Sequence, residues 1–194
     1  YGRPFATNRI SLDIILDQAY LPAGQENQVI YELIQLLESL GQGWTDNLPV
    51  SEPVLGADGQ YHYSFLPDRE SQVARLKSDL HVEAYATADD CMWRLCAPSY
   101  YDLGHSADEE EEKRHPRPWA DDPAAQRKLA GGRYEMAQQD FSYKNNYIFA
   151  TDVSNTVATN VQERRYALPG VDVVQSTVRE FSNGTLAPHI IGIT

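Results

Sequence analysis

Serine acylation chemistry of the S-x-x-K type needs a Lys amine one helical turn beyond the nucleophile, where it can accept the hydroxyl proton. No serine of this 194-residue chain has Lys three residues on, and K-T-G does not occur. Ser154-Asn155 and Ser182-Asn183 place Asn one position too early for S-x-N. G-x-S-x-G, P-loop and G-x-G-x-x-G patterns are also missing from the sequence, so no catalytic residue and no cofactor is expected. His62, His81, His105 and His115 lack H-E-x-x-H or comparable ligand spacing. His189 precedes Ile190-Ile191 and reads as a hydrogen-bonded residue of an apolar strand. The acidic run from Asp108 to Glu112 lacks the calcium-loop pattern and reads as a solvated charge run. Asp152 and Glu135 are the remaining acid–base candidates; nothing in the sequence pairs them, and Asp152 is explained as a helix cap.

Cys91 and Cys96 are the only cysteines. On one regular helix a spacing of five separates their side chains by roughly 140°, which disfavours a disulfide. The spacing fits neither C-x-x-C redox chemistry nor a zinc site.

Composition narrows the partners. Hydrophobic residues make up 42% and charged residues 23% of the chain, which fits a folded globular protein. The formal charge of −12 argues against nucleic acid or an anionic lipid surface, since both call for concentrated Lys and Arg. No apolar run reaches the roughly 18 residues of a membrane span. Either the protein is cytosolic or its anchor lies outside this sequence.

Helices and strands must position whatever these residues do. Ser11–Asp17 reads as a strand with a buried middle, and Gln28–Leu40 as a helix with a broad apolar face ended by Gly41. Asn47–Val50 is extended, Gly56–Gly59 is a turn, and Tyr61–Leu66 alternates like a half-exposed strand. Asp68 is expected to cap a helix burying Val73, Leu76 and Leu80. Thr87-Ala-Asp-Asp90 has the form of a capping box opening a helix through Cys96. Asp108–Pro118 reads as an exposed, mobile loop or the ragged start of a helix. Asp122-Pro123 should start a helix running through Gly131-Gly132 to about Gln139. Tyr147–Ala150 is a short strand, Asp152 should cap a helix to about Tyr166, and Val171–Phe181 and His189–Ile193 are strands. The irregular mixture predicts an α+β fold, bilobal, with a helical lobe over about residues 68–140. The N- and C-terminal strands would share the other lobe.

The last sixteen residues, from Arg179 through Gly184, Ala187, His189 and Gly192 to Thr194, resemble the R-x-Y-P-x-G-x-x-A-x-H-x-x-G signature of class B penicillin-binding proteins. Glu180 and Ser182-Asn183 depart from it. Gly2-Arg3-Pro-Phe-Ala6 resembles the tail of R-G-x-x-x-D-R-x-G-x-x-L-A. Gly131-Gly-Arg133-Tyr-Glu-Met136 resembles the R-Y-E-M segment of Clostridia-type members, Phe149–Ser154 the helix opening after it, and Leu168-Pro-Gly170-Val-Asp-Val173 an L-P-G-V-x-V stretch. Ile30–Leu37 with Trp44–Pro49 is similar to an elaboration found in Firmicutes. These segments keep the family's order from the first residue to the last.

The resemblance implies a non-catalytic dimerisation or pedestal domain spanning 1–194, with the transmembrane anchor and transpeptidase domain outside it. It implies a module on the extracellular face of the cell membrane that positions the transpeptidase domain of a peptidoglycan cross-linking enzyme. Implied partners are that transpeptidase domain, a SEDS-type glycan polymerase, elongation or division proteins and a second copy of the chain. Gly2, Arg3, Arg133, Asp152, Gly170, Arg179, Gly184, His189 and Gly192 are then structural junction residues, with Arg179 holding the first motif against the closing strand. No metal ligand is implied.

Overall fold

The computed structural model describes residues 6–181, and side chains from 8 to 179. Its fold is α+β. Strand β1 (Ala6–Leu16) lies centrally in a three-stranded sheet between β4 (Tyr147–Ala150) and β5 (Val171–Phe181), antiparallel to both. The β1–β5 ladder runs in unbroken register from Ala6 opposite Phe181 to Leu16 opposite Val171. The pairing of β1 with β4 shifts between Ile14 and Ile15. A small hairpin joins β2 (Val54–Leu55) to β3 (Tyr61–His62) through the Gly56–Gly59 turn.

The helices are α1 (Glu26–Ser39), α2 (Glu70–Asp79), α3 (Ala88–Cys96), α4 (Glu109–Arg114), α5 (Pro123–Gln138) and α6 (Asn155–Glu163). Helix α1 follows from its apolar spacing: Ile30, Leu33, Ile34 and Leu37 are buried along one stripe. Burying each of these side chains contributes about 1.5–3 kcal/mol. They join Ile14 and Leu16 of the sheet, Leu129 and Ala130 of α5 and Val157 of α6 in a shared hydrophobic cluster. Gly131 leaves room for the Asp46 carboxylate against α5, since a Cβ there would lie 2.6 Å from Asp46 Oδ1.

Capping decides several boundaries. The Thr87 hydroxyl accepts the Asp90 N–H, and the Asp90 carboxylate accepts the Thr87 N–H. Both halves of the box are present. Asp122 accepts the N–H groups of Ala124 and Ala125, with Pro123 in the first turn of α5. The acidic run forms the short helix α4, capped by Asp108. The cysteines are free thiols. Cys91 is buried, and burial pushes the Cys96 thiol up to about 11.

Three expectations need correction. Asp68 does not cap α2: Arg69 occupies the cap position and Asp68 takes φ +56°, a left-handed conformation that Asp tolerates better than most residues. Tyr61–Leu66 is not one strand, because only Tyr61–His62 pair with β2 and Phe65 makes an isolated bridge to Val50. Asp152 does not cap α6; Ser154 does, accepting the Val157 N–H, and the helix ends at Glu163. The expected strand at His189–Ile193 lies outside the described residues.

Candidate functional site

Odd-numbered positions of β1 place Arg9, Ser11 and Asp13 on one face of the strand. Asp152, just after β4, adopts φ +53°, and its carboxylate meets that face. Arg9 donates from both terminal nitrogens to the two Asp152 oxygens, at 2.7 and 2.8 Å. The Asp152 N–H donates to Asp13 Oδ1 at 2.9 Å. The Ser11 hydroxyl lies 3.2 Å from Asp13 Oδ1 and 3.3 Å from Asp152 Oδ1. Such a forked guanidinium–carboxylate pair fixes orientation as well as charge.

The hydrogen bonds from Arg9 hold the Asp152 carboxyl below the usual carboxylate range. A carboxylate so held is a structural anion and a poor proton donor at neutral pH. Glu135 is buried on α5 with Gln139 Nε2 at 3.3 Å. The two acid–base candidates therefore have separate partners.

Because Asn tolerates a positive φ, Asp152→Asn removes the charge and keeps the turn. A group whose folded pKa is depressed contributes stability above its unfolded pKa, lost as pH falls through the folded value. The Tm of wild type should therefore exceed that of Asp152→Asn above about pH 5, and the gap should close as pH falls below about 4. A gap that stays constant across that range, read by circular dichroism, would count against the charge pair.

A second joint ties α5 to the loop ahead of β2. Arg127 is buried; Nε donates to Val50 O at 2.8 Å, Nη2 to Leu48 O at 3.1 Å and Nη1 to Asp46 Oδ2 at 2.7 Å. Neither Arg127 nor Asp46 was singled out from the sequence. The available signal was a cation three, four and seven residues before Ala130, Gly131 and Tyr134, on the stripe that α5 buries.

Of the junction residues read from the sequence, Arg133 lies on α5 with its guanidinium 5.4 Å from the Tyr101 ring centre. Gly170 turns the chain into β5 at φ +80°, and its carbonyl accepts the Asp17 N–H at 2.7 Å. Arg179 lies on β5 opposite Asn8 of β1. Gly2, Arg3, Gly184, His189 and Gly192 lie outside the described residues. The structure brings Asp152 onto β1, and it leaves Arg133 on the helical side, beside Tyr101.

A family model for the penicillin-binding protein dimerisation domain matches residues 1–194. The chain belongs to this family. That rules out the alternative left open by the sequence, an extracellular enzyme or binding module outside this family, and the dimerisation domain is the non-catalytic part of class B penicillin-binding proteins. The dimerisation domain is also similar to penicillin-binding protein 2B of Streptococcus pneumoniae strain 5204. Identity is 13% over 94% of this chain and 24% of that one, at a TM-score of 0.41. The domain thus spans about a quarter of the length of that protein. No curated protein matches it. Among the described residues no helix is long and apolar enough to cross a membrane.

Proposed function

We propose that this domain is a scaffold and interaction module that positions the transpeptidase domain of a penicillin-binding, peptidoglycan cross-linking enzyme. The observation that carries the reading is the family match over residues 1–194. The disposition of polar groups supports it: Arg9, Asp152 and Arg127 are consumed in joints between segments far apart in sequence. The β1–β5 ladder supports it too, since it gathers both ends of the described chain into one stiff element. On this reading the module works on the extracellular face of the cell membrane through its surfaces. Its partners are the transpeptidase domain, a SEDS-type glycan polymerase with elongation or division proteins, and a second copy of itself.

Incubating the purified chain with fluorescent penicillin, then measuring its mass by light scattering, tests both halves of the proposal. No covalent label and a concentration-dependent dimer are expected. A serine adduct overturns the non-catalytic assignment, and a strict monomer at high concentration removes the second copy from the list of partners.

A further inference from the structure

The β2–β3 hairpin has little apolar hold on the body of the domain. Val54, Leu55 and Tyr61 are 67%, 60% and 50% exposed, and so short a hairpin is marginal in water on its own. What ties it down is polar and centred on His62. Its Nδ1 lies 3.0 Å from Asp89 Oδ2 in the first turn of α3, and its Nε2 lies 3.0 Å from Asp58 Oδ2 in the hairpin turn. The other Asp89 oxygen accepts the Tyr63 N–H at 2.6 Å. Gly56 makes room for the ring, since a Cβ there would lie 2.7 Å from His62 Cδ2.

A neutral imidazole has one N–H, and its other nitrogen only accepts; an ionised carboxylate only accepts as well. With a carboxylate against each ring nitrogen, a neutral His62 would leave one lone pair facing an anion in either tautomer. The imidazolium donates to both. The hydrogen bonds to Asp89 and Asp58 accordingly raise His62 above its ordinary pKa of 6.5. The Gln60 N–H and His62 hold the Asp58 carboxyl below the usual carboxylate range. Asp58 from the turn and Asp89 from α3 are the charged groups that face the ring, and among the described residues no Lys or Arg pairs with either. His105 is bracketed in the same way, by Glu112 at 3.3 Å and Asp121 at 2.9 Å. There, however, Arg117 stands 3.9 Å from Glu112 and supplies a second cation.

We propose that His62 is a proton-operated latch, whose imidazolium pins the β2–β3 hairpin to α3 and whose neutral form releases it. Because the folded value is raised, the hold is present in full below the unfolded value near 6.5 and is lost as pH rises through the folded midpoint. The ring is half-exposed, so protons reach it without unfolding. Release stops at Tyr63, whose ring packs against the core and whose hydroxyl donates to Pro123 O at 3.0 Å. The moving part is the tip, 54–62, with its three exposed apolar side chains. Global stability should scarcely change, as with other exposed ion pairs. The latch is independent of the scaffold role.

An NMR titration of the chain from about pH 5.5 to about pH 9 tests it. The His62 ring should titrate above 6.5. Amide order parameters over 54–62 should fall from about 0.85 to under about 0.6 with the same midpoint, while Tyr63 stays near ~0.85. Asp89→Asn separates the latch from ordinary packing. Its Oδ1 still accepts the Tyr63 N–H, and its amide donates to Nδ1 of a neutral imidazole whose Nε2–H reaches Asp58. In that variant the tip should stay ordered across the whole range, and the His62 midpoint should fall. A wild-type tip whose order is independent of pH, a His62 midpoint at or below 6.5, or an Asp89→Asn chain that still releases its tip would overturn the proposal.

Discussion

Replacing Arg127 with Ala should destabilise the domain by about 3–5 kcal/mol, the range for breaking a buried ion pair from one side. The side chain of Arg127 is 6% exposed and that of Asp46 22%, so the carboxylate left behind is poorly reached by water. Val50 O loses its donor in the same change, and Leu48 O keeps only the Val50 N–H. Asp46→Ala should cost less, about 1–3 kcal/mol, because Arg127 keeps both carbonyls. Removing both charges with Arg127→Met and Asp46→Leu together should recover part of the loss, since no buried charge is left unpaired. Urea unfolding of the set measures these differences. A loss below about 1 kcal/mol for Arg127→Ala would mean the site relaxes onto water, and the joint would then be dispensable.

Gly170→Ala should be nearly as damaging, for a different reason. At φ +80° an L side chain costs about 1–2 kcal/mol. An added Cβ would also meet Leu21 N at 2.8 Å and Leu21 Cα at 2.9 Å, both backbone atoms that cannot swing aside. Overpacking of this kind costs about 1–3 kcal/mol. The total is roughly 2–5 kcal/mol, lost where the Gly170 carbonyl anchors Asp17 beside the Leu16–Val171 pair. Thermal unfolding should show the loss, and hydrogen exchange should show it concentrated near Leu16 and Val171. Wild-type stability in Gly170→Ala would contradict the close approach.

Elements whose signals are local were legible. Thr87 and Asp90 announce α3 because both halves of a capping box lie within four residues. Asp122-Pro123 announces α5 by the same logic, and alternation of Val with polar residues announces β5. Asp68 and Asp152 misled because Asp serves equally as a helix cap and as a left-handed turn residue. Only the neighbouring strand shows that Asp152 turns back to Arg9, 143 residues earlier. Arg127 and Asp46 are 81 residues apart, so their pairing exists only once α5 packs on the loop.

The β1–β5 register carries a mechanical consequence. Ala6 and Phe181 face each other at one end of the ladder, so tension between whatever is joined to these residues pulls the strands apart in unzipping mode. Pairs would open one after another from Ala6–Phe181 toward Leu16–Val171, and the load would never be shared across the row. The two bonds from Arg9 to Asp152, three pairs in from the opening end, would hold β1 to the segment after β4, so that β5 is the strand that peels away.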